Sequence, residues 1–345
     1  MAKTGSWWAP DRHADRRPAL LSRGRIKKAL HAFFEARDFT EVECGALAVS
    51  PGNEAHLTAF AAERVAIDGS RRTLYLHTSP EFAAKKLLAA GESRIFDFAR
   101  VFRNREGGPL HAAEFTMLEW YRAREPCEAV IADTLDLVRL AADTAEAEVF
   151  TWQGRECDPR SPPERLTVAQ AFARHAAIDL MATLDDEGRG GRDALAAAVQ
   201  RAGVAVAAND GWSDIFSKVL VTIEPKLGNG RPTVLCEYPR CEAALARAAT
   251  HDRRVAERFE VYVCGVELAN GFGELTDPAE QRARFEAEEA ERERIYGERY
   301  PIDEELLAAL AIMPEASGVA LGFDRLVMLA TGARTLEDVL WTPAP

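Results

Sequence analysis

The sequence predicts an α+β protein in which a mostly antiparallel sheet is flanked by helices. Residues 95–122 contain two segments rich in aromatic and branched side chains, and turn-forming residues at 106–109 separate them. This pattern predicts an antiparallel hairpin with a long loop. Further strand-like runs lie at 231–239 and 255–274, and helical periodicity or alanine- and leucine-rich composition marks several segments between the strands.

The first segments of the chain predict an arm, a helix and a short strand. Residues 1–19 are polar and are predicted to form an N-terminal arm, and we expect one domain over residues 20–345. Apolar residues at helical spacing predict a helix over 18–38. A strand near 74–78 runs into T-S-P-E, where a Ser or Thr cap, Pro80 and Glu81 all favour the start of a helix.

The middle and the end of the chain are predicted to be largely helical. Residues 125–228 are expected to form a helical insertion between strands of the sheet, with a loop at 151–165. Residues 280–296 are rich in charges of both signs and predict a helix with a solvated face.

The composition is that of a globular protein. A chain of 345 residues can bury a core, and 47% hydrophobic and 28% charged residues are ordinary proportions. No apolar run approaches the roughly 20 residues needed to span a bilayer, and the first residues lack the apolar core of a signal peptide, so we expect a cytoplasmic protein. Six cysteines form no C-x-x-C pair, which favours reduced thiols over a zinc site. The net charge of −12 weakly disfavours extensive contact with tRNA.

The second strand of the predicted hairpin carries candidate binding residues. Side chains of a strand alternate between faces, so Phe115, Met117, Glu119 and Tyr121 share one face. A carboxylate and a phenol beside apolar side chains suit a cationic, partly buried ligand. At the start of the loop Arg103 offers a planar fork for a phosphate, and His111 offers a second donor. Taken alone, this stretch favours an ordinary hairpin with surface charges over a binding site.

Three ordered sequence matches resemble a known family. V-F-R-N at 101–104 with H-x-x-E-F-T-M-L-E-W-Y at 111–121 resembles motif 2 of the class II aminoacyl-tRNA synthetases in its lysine-specific form. G-V-A-L-G-F-D-R at 318–325 resembles motif 3, and 258–275 resembles the metal- and lysine-binding segment of lysyl-tRNA synthetase. The chain is thereby identified as similar to the catalytic core of that enzyme. Residues 20–51 resemble motif 1, which implies a homodimer.

Two features favour a truncated bacterial paralogue of lysyl-tRNA synthetase, the elongation factor P lysine ligases. The motif 1-like sequence begins near residue 20, which leaves no room for an anticodon-binding domain. Ala320 stands where lysyl-tRNA synthetases usually have glycine and where the ligases have alanine. The resemblance implies activation of lysine or (R)-β-lysine by ATP, with Mg²⁺, and transfer to a specific lysine of elongation factor P. A membrane is not expected as a partner, and tRNA is disfavoured.

The resemblance also implies roles for individual residues. Arg103 and Arg325 are implied as catalytic contacts to the α- and γ-phosphates, and Glu260 and Glu267 as magnesium ligands. The implied amino acid-binding residues are Ser79, Glu81, Glu119, Tyr121, Asn270, Glu274 and Ala320, with Glu274 pairing the second ammonium. The implied ATP-binding residues are Arg103, Asn104, Arg105, His111, Ala112, Glu267, Leu268, Gly322 and Arg325.

The motif 2 loop departs from the family pattern. Arg105 stands where the family places a carboxylate, and Glu106 takes that role if the loop shifts by one residue. Pro109-Leu110 and Ala112-Ala113 differ from the ligases in the same loop, and Gly273 replaces a histidine. Two alternatives therefore stay open. A ligase acting on tRNA or another small acceptor predicts salt-sensitive RNA binding, and an inactive regulatory binder predicts stabilisation by ligands without turnover.

Overall fold

An eight-stranded sheet forms the centre of the structure, a computed structural model that describes residues 6–344. The strands are β1 (Thr40–Glu41), β2 (Leu47–Ala48), β3 (Phe60–Val65), β4 (Arg71–Leu76), β5 (Arg94–Phe102), β6 (Glu114–Ala123), β7 (Phe150–Trp152), β8 (Arg155–Cys157), β9 (Glu164–Thr167), β10 (Thr233–Pro239), β11 (Val255–Val263), β12 (Val266–Gly273) and β13 (Ala316–Gly322). The helices are α1 (Pro10–Glu35), α2 (Glu81–Ala89), α3 (Cys127–Ala145), α4 (Val168–Ala176), α5 (Arg192–Arg201), α6 (Trp212–Ile223), α7 (Pro278–Tyr296), α8 (Glu304–Leu310) and α9 (Phe323–Thr331).

The strands of the central sheet follow the order β1-β5-β6-β13-β12-β11-β10-β9. The β1–β5 and β9–β10 pairs are parallel, and the other neighbouring pairs are antiparallel. Two small antiparallel sheets, β2-β4-β3 and β7-β8, lie beside it. The prediction of a mostly antiparallel sheet flanked by helices is therefore confirmed.

The two faces of β6 divide the core from the site. Leu118 and Trp120 are fully buried on the face that α1, α3 and α9 cover. On this side Phe34 of α1 stacks on Phe96 with ring centroids 4.6 Å apart. Glu119 and Tyr121 point to the opposite face, as the alternation of side chains along a strand requires. The hydrophobic core thus fixes the orientation of the polar residues of β6.

The first helix starts earlier than the sequence predicted. Residues 1–5 lie outside the described residues, but α1 begins at Pro10, so most of the expected arm at 1–19 is helical and the prediction is wrong there. Pro18, the expected start, lies inside α1. Contacts far along the chain hold this segment: Arg16 donates to the carbonyl oxygen of Leu340, and Arg23 pairs with Asp324.

The predicted helical insertion at 125–228 is only partly a separate layer. Helix α3 packs in the main core with α1 and α9, and β9 extends the central sheet beside β10. The expected loop at 151–165 contains the β7–β8 hairpin. Helices α4 to α6 do form a cluster of their own around Phe172 and Phe216, whose rings stack 5.1 Å apart. The extra packing layer therefore begins after β9.

Candidate active site

A cavity of about 310 Å³ opens on the polar face of the central sheet. Strands β6, β11, β12 and β13 provide its floor, and the motif 2 loop and the start of α2 provide its walls. The predicted site residues that line it are Ser79, Glu81, Arg103, His111, Ala112, Glu119, Tyr121, Glu260, Glu267, Leu268, Asn270, Glu274, Ala320, Gly322 and Arg325. Residues separated by more than 200 positions thus meet in one space.

One end of the cavity is lined with carboxylates. Glu119 accepts hydrogen bonds from the Ser79 hydroxyl at 2.7 Å and the Tyr121 hydroxyl at 2.8 Å, and it is buried. Burial and then the nearby charge of Glu81 raise the pKa of Glu119 to about 8. Ser79 also accepts from the backbone N–H of Glu81, so it supports the helix start and the site together. A carboxylate with a raised pKa favours a cationic ligand that restores its charge.

Lys85 bridges two of these carboxylates. Its ammonium lies 2.6 Å from Glu81 and 2.7 Å from Glu274, and both Lys85 and Glu274 are about 1% exposed. Burial raises the pKa of Glu274 to about 7, although the charge of Lys85 acts in the opposite direction. The sequence analysis missed Lys85. Its spacing of four residues from Glu81 on one helix was the available signal.

Small residues on β13 make room for these side chains. A Cβ atom at Gly318 would lie 2.3 Å from the Tyr121 ring and 2.4 Å from Glu274 Oε1. Only glycine therefore allows both side chains to turn into the cavity at this point. Ala320 is the cross-strand partner of Glu119, so its methyl group stands beside that carboxylate.

The other end of the cavity carries two arginines. The guanidinium of Arg325 donates to the carbonyl oxygens of Leu110 and Glu267 at 3.1 and 2.9 Å, and it lies 3.0 Å from His111 Nε2. Burial and the charge of Arg325 lower the pKa of His111. Arg103 donates to the carbonyl oxygen of Thr78 at 3.3 Å. These fixed donors suit an anion, and Glu267 Oε2 lies 3.9 Å from the Arg325 guanidinium.

Asn104 and Arg105 do not line the cavity, contrary to the ATP-binding residues that the resemblance implied. The Asn104 side chain accepts a hydrogen bond from the backbone N–H of Arg105, which closes a local turn. Arg105 has a left-handed backbone with φ of 62°, and its guanidinium lies 5.3 Å from the centre of the Tyr296 ring. Glu106 lines the cavity instead, which agrees with the one-residue shift considered for this loop.

Glu260 and Glu267 lie on the paired strands β11 and β12. Glu260 is buried and accepts hydrogen bonds from Arg258 at 2.8 Å and the Tyr262 hydroxyl at 2.6 Å. The Glu267 side chain is 36% exposed, but it faces the cavity, where desolvation and then the charge of Glu260 raise its pKa to about 7. No group of three or more His, Cys, Asp or Glu side chains able to hold a metal occurs in residues 6–344. A metal held here would take its remaining ligands from a bound molecule and water.

Helix α7 supports a loop that forms a further wall of the cavity, which the sequence analysis missed. Glu54 and Leu57 line the cavity from the loop before β3. Glu289 of α7 accepts from the Asn53 side chain at 2.8 Å, and the buried Arg292 donates to the carbonyl oxygen of Leu57. The predicted solvated helix thus also has a buried side that fixes the loop.

Comparison with known proteins agrees with this architecture. The model of the family "tRNA synthetases class II (D, K and N)" matches residues 8–344. This chain belongs to the class II tRNA synthetase family. The class II fold predicted from motifs 1 to 3 is therefore confirmed.

Curated relatives within this class II family are similar over almost their full length. The chain is 40% identical to an elongation factor P–(R)-β-lysine ligase of Mannheimia succiniciproducens over 328 residues, which cover 93% of each chain. It is 40% identical to the protein of that name from Pectobacterium atrosepticum over 347 residues, with 99% of this chain and 98% of the relative covered. It is 39% identical to the protein of that name from Salmonella paratyphi B over 344 residues, with the same coverage. The resemblance to this ligase group is confirmed.

Proposed function

We propose that this class II protein activates lysine or (R)-β-lysine with ATP and transfers the acyl group to a specific lysine of elongation factor P. One observation carries the proposal: a single cavity brings together the buried carboxylates of Glu119 and Glu274 and the guanidinium groups of Arg103 and Arg325. That arrangement matches a ligand with two ammonium groups meeting a triphosphate. The names of the curated relatives support elongation factor P as the acceptor.

The amino acid end is suited to a substrate with a second ammonium. A buried ammonium must be paired, because an isolated charge in a low-dielectric site is costly. Glu274 presents its Oε1, which has no hydrogen-bond partner in residues 6–344, and Asn270 Oδ1 is free in the same sense. Glu119 offers a second carboxylate, held by Ser79 and Tyr121. Amino acids without a second ammonium group would leave these acceptors unpaired, and this gives specificity for lysine-type substrates.

Activation joins the substrate carboxylate to the α-phosphate of ATP and releases pyrophosphate. The residues at the arginine end need to hold the reacting atoms in line and to neutralise charge, and no general base is required for an ionised carboxylate. We assign Arg103 to the α-phosphate and Arg325 to the γ-phosphate. The Arg325 fork is already oriented by two carbonyl oxygens, so little order has to be gained when the nucleotide binds.

Glu260 and Glu267 fit a magnesium ion that accompanies the nucleotide. Carboxylate oxygens suit this hard cation, which commonly takes one or two protein carboxylates and completes its shell with phosphate and water. Desolvation and then the charge of Glu260 raise the pKa of Glu267, so a cation bound beside these two carboxylates would favour their ionised forms. A bound Mg²⁺ would neutralise charge on the phosphates during the displacement.

Transfer then forms an amide. The ε-amine of the acceptor lysine attacks the acyl carbon of the adenylate, AMP leaves with the former substrate carboxylate oxygen, and the amine loses a proton. Ala320 lines the cavity opposite Glu119 on the neighbouring strand, and the substrate backbone would lie beside its methyl group. This supports the β-amino acid as the preferred substrate.

The homodimer and the cytoplasmic location stay predictions from the sequence. Within residues 6–344 no helix is both long and apolar enough to cross a membrane.

Intact-protein mass spectrometry of elongation factor P tests this function. The protein is incubated with ATP, Mg²⁺ and either (R)-β-lysine or α-lysine, and unfractionated tRNA replaces the acceptor in a parallel reaction. We expect one added lysyl group on elongation factor P and none on an acceptor variant in which the modified lysine is arginine. Lysylated tRNA with unmodified elongation factor P would replace our proposal with the tRNA-charging alternative.

A further inference from the structure

Lys85 is a buried cation beside the carboxylates that would bind the ammonium groups of the substrate. Its Nζ lies between Glu81 Oε1 and Glu274 Oε2, at 2.6 and 2.7 Å. These carboxylates come from α2 and from the residue that follows β12, so Lys85 ties two separate walls of the cavity together. The ion pair with Glu274 runs through Oε2. The other oxygen, Oε1, has no hydrogen-bond partner in the part of the chain that the structure describes, and it faces the space left by the missing side chain of Gly318.

The charges around Glu274 single out Lys85. Glu81 is a neighbouring carboxylate, and Tyr121 donates its hydroxyl proton to Glu119 rather than to Glu274. Arg247 also acts on Glu274 from the opposite side, but its guanidinium lies 2.7 Å from Glu257 and is already paired there. Lys85 is therefore the cation in direct contact with Glu274 among the described residues.

We propose that Lys85 is a positioning residue for amino acid recognition, which stabilises the charged form of Glu274 and turns its Oε1 toward the ammonium of the substrate. This inference rests on the proposed function. Without the Lys85 charge, Glu81 and Glu274 would be two uncompensated carboxylates in a buried space, and one of them would take up a proton at neutral pH. A neutral Glu274 offers a weaker partner to an ammonium, because hydrogen bonds between charged groups are the strong ones.

The test compares Lys85→Met with Lys86→Met by ATP–pyrophosphate exchange between pH 6.5 and 9. Lys86 is the matched control, because it lies next to Lys85 on α2 but pairs with Asp303 outside the cavity. We expect Lys85→Met to raise the KM for the amino acid at least tenfold at pH 7 and to leave the KM for ATP within twofold. The defect should shrink toward pH 9, because a rising pH favours the charged form of Glu274 in the variant too. Lys86→Met should stay within twofold of the wild type throughout.

Three results would overturn the inference. They are an unchanged KM for the amino acid, an equal loss for ATP, and a loss that does not depend on pH, which would indicate a structural role. Thermal unfolding checks that Lys85→Met folds, and Lys85→Gln takes its place if it does not. If the wild type shows no exchange, the proposed function fails. Calorimetric binding of lysine to the wild type and to Lys85→Met, across the same pH range, then decides the role of Lys85 by itself.

Discussion

Replacing Glu274 with glutamine removes a charge from the amino acid end of the cavity without changing the volume of the side chain. Glu274 is buried and contacts Lys85 through Oε2, and its Oε1 has no hydrogen-bond partner among residues 6–344. The glutamine can still accept a hydrogen bond, so the variant isolates the contribution of the charge. ATP binds at the arginine end of the cavity in our proposal and should not sense the change.

The expected magnitude follows from the single ionic hydrogen bond that is weakened. Hydrogen bonds to charged groups contribute about 1.5–3 kcal/mol. Each 1.36 kcal/mol corresponds to a factor of ten. We therefore expect Glu274→Gln to raise the KM for lysine or (R)-β-lysine by about 10- to 150-fold, with the KM for ATP within twofold of the wild type.

ATP–pyrophosphate exchange measures both constants in one assay. Glu257→Gln is the matched control, because it is the same substitution at a nearby glutamate. Glu257 lies beside Gly273, but it pairs with Arg247 and does not line the cavity. It should alter neither KM more than threefold. Equal losses for amino acid and ATP in Glu274→Gln, or an equally large effect of Glu257→Gln, would refute the assignment of Glu274 to the substrate ammonium.

Four further variants test the site and the stability of the fold. Arg325→Gln should lower kcat/KM for ATP by about 10- to 150-fold, because one charged fork is lost, while calorimetric lysine binding stays within threefold; a matching loss of lysine binding would contradict this role. Asp324→Asn should lower the free energy of unfolding in urea by about 3–5 kcal/mol, because the buried Arg23 loses its partner. As a control, Arg165→Gln breaks the exposed pair with Glu128 and should lower the free energy of unfolding by less than about 1 kcal/mol. Equal losses in the two variants would contradict the expectation that the buried pair contributes more. Ala320→Gly should shift the ratio of kcat/KM values toward α-lysine by at least about tenfold, the usual effect of one methyl-sized contact; an unchanged ratio would remove Ala320 as a specificity residue.

The faces of the strands could be predicted because strand periodicity is strict. Alternation alone predicts that Glu119 and Tyr121 share one face of β6. The structure confirms it, because both line the cavity whereas Leu118 and Trp120 lie in the main core. The meeting of β6 with β13 depended on the family resemblance, since spacing in the sequence does not specify which distant strands pair. The observed register, with Ala320 opposite Glu119, supplies that information.

The features missed from the sequence depend on tertiary contacts. In the sequence Lys85 is typical of an exposed residue on a helix surface. It is buried in the structure, where it forms an ion pair with Glu274, the residue that follows β12. The resemblance implies that Arg105 contacts ATP, and this stays a prediction. In the structure Arg105 has a left-handed backbone and its guanidinium lies near the Tyr296 ring, which no local sequence pattern signals. The early start of α1 likewise depends on Arg16 and its distant carbonyl partner, Leu340.

ATP–pyrophosphate exchange by the wild type, with (R)-β-lysine, α-lysine or no amino acid, tests the central claim most directly. Our account predicts exchange that requires a lysine-type amino acid and is faster with (R)-β-lysine, in the absence of any acceptor. No exchange with either amino acid, in protein that still binds ATP, would contradict it and would favour the inactive regulatory binder.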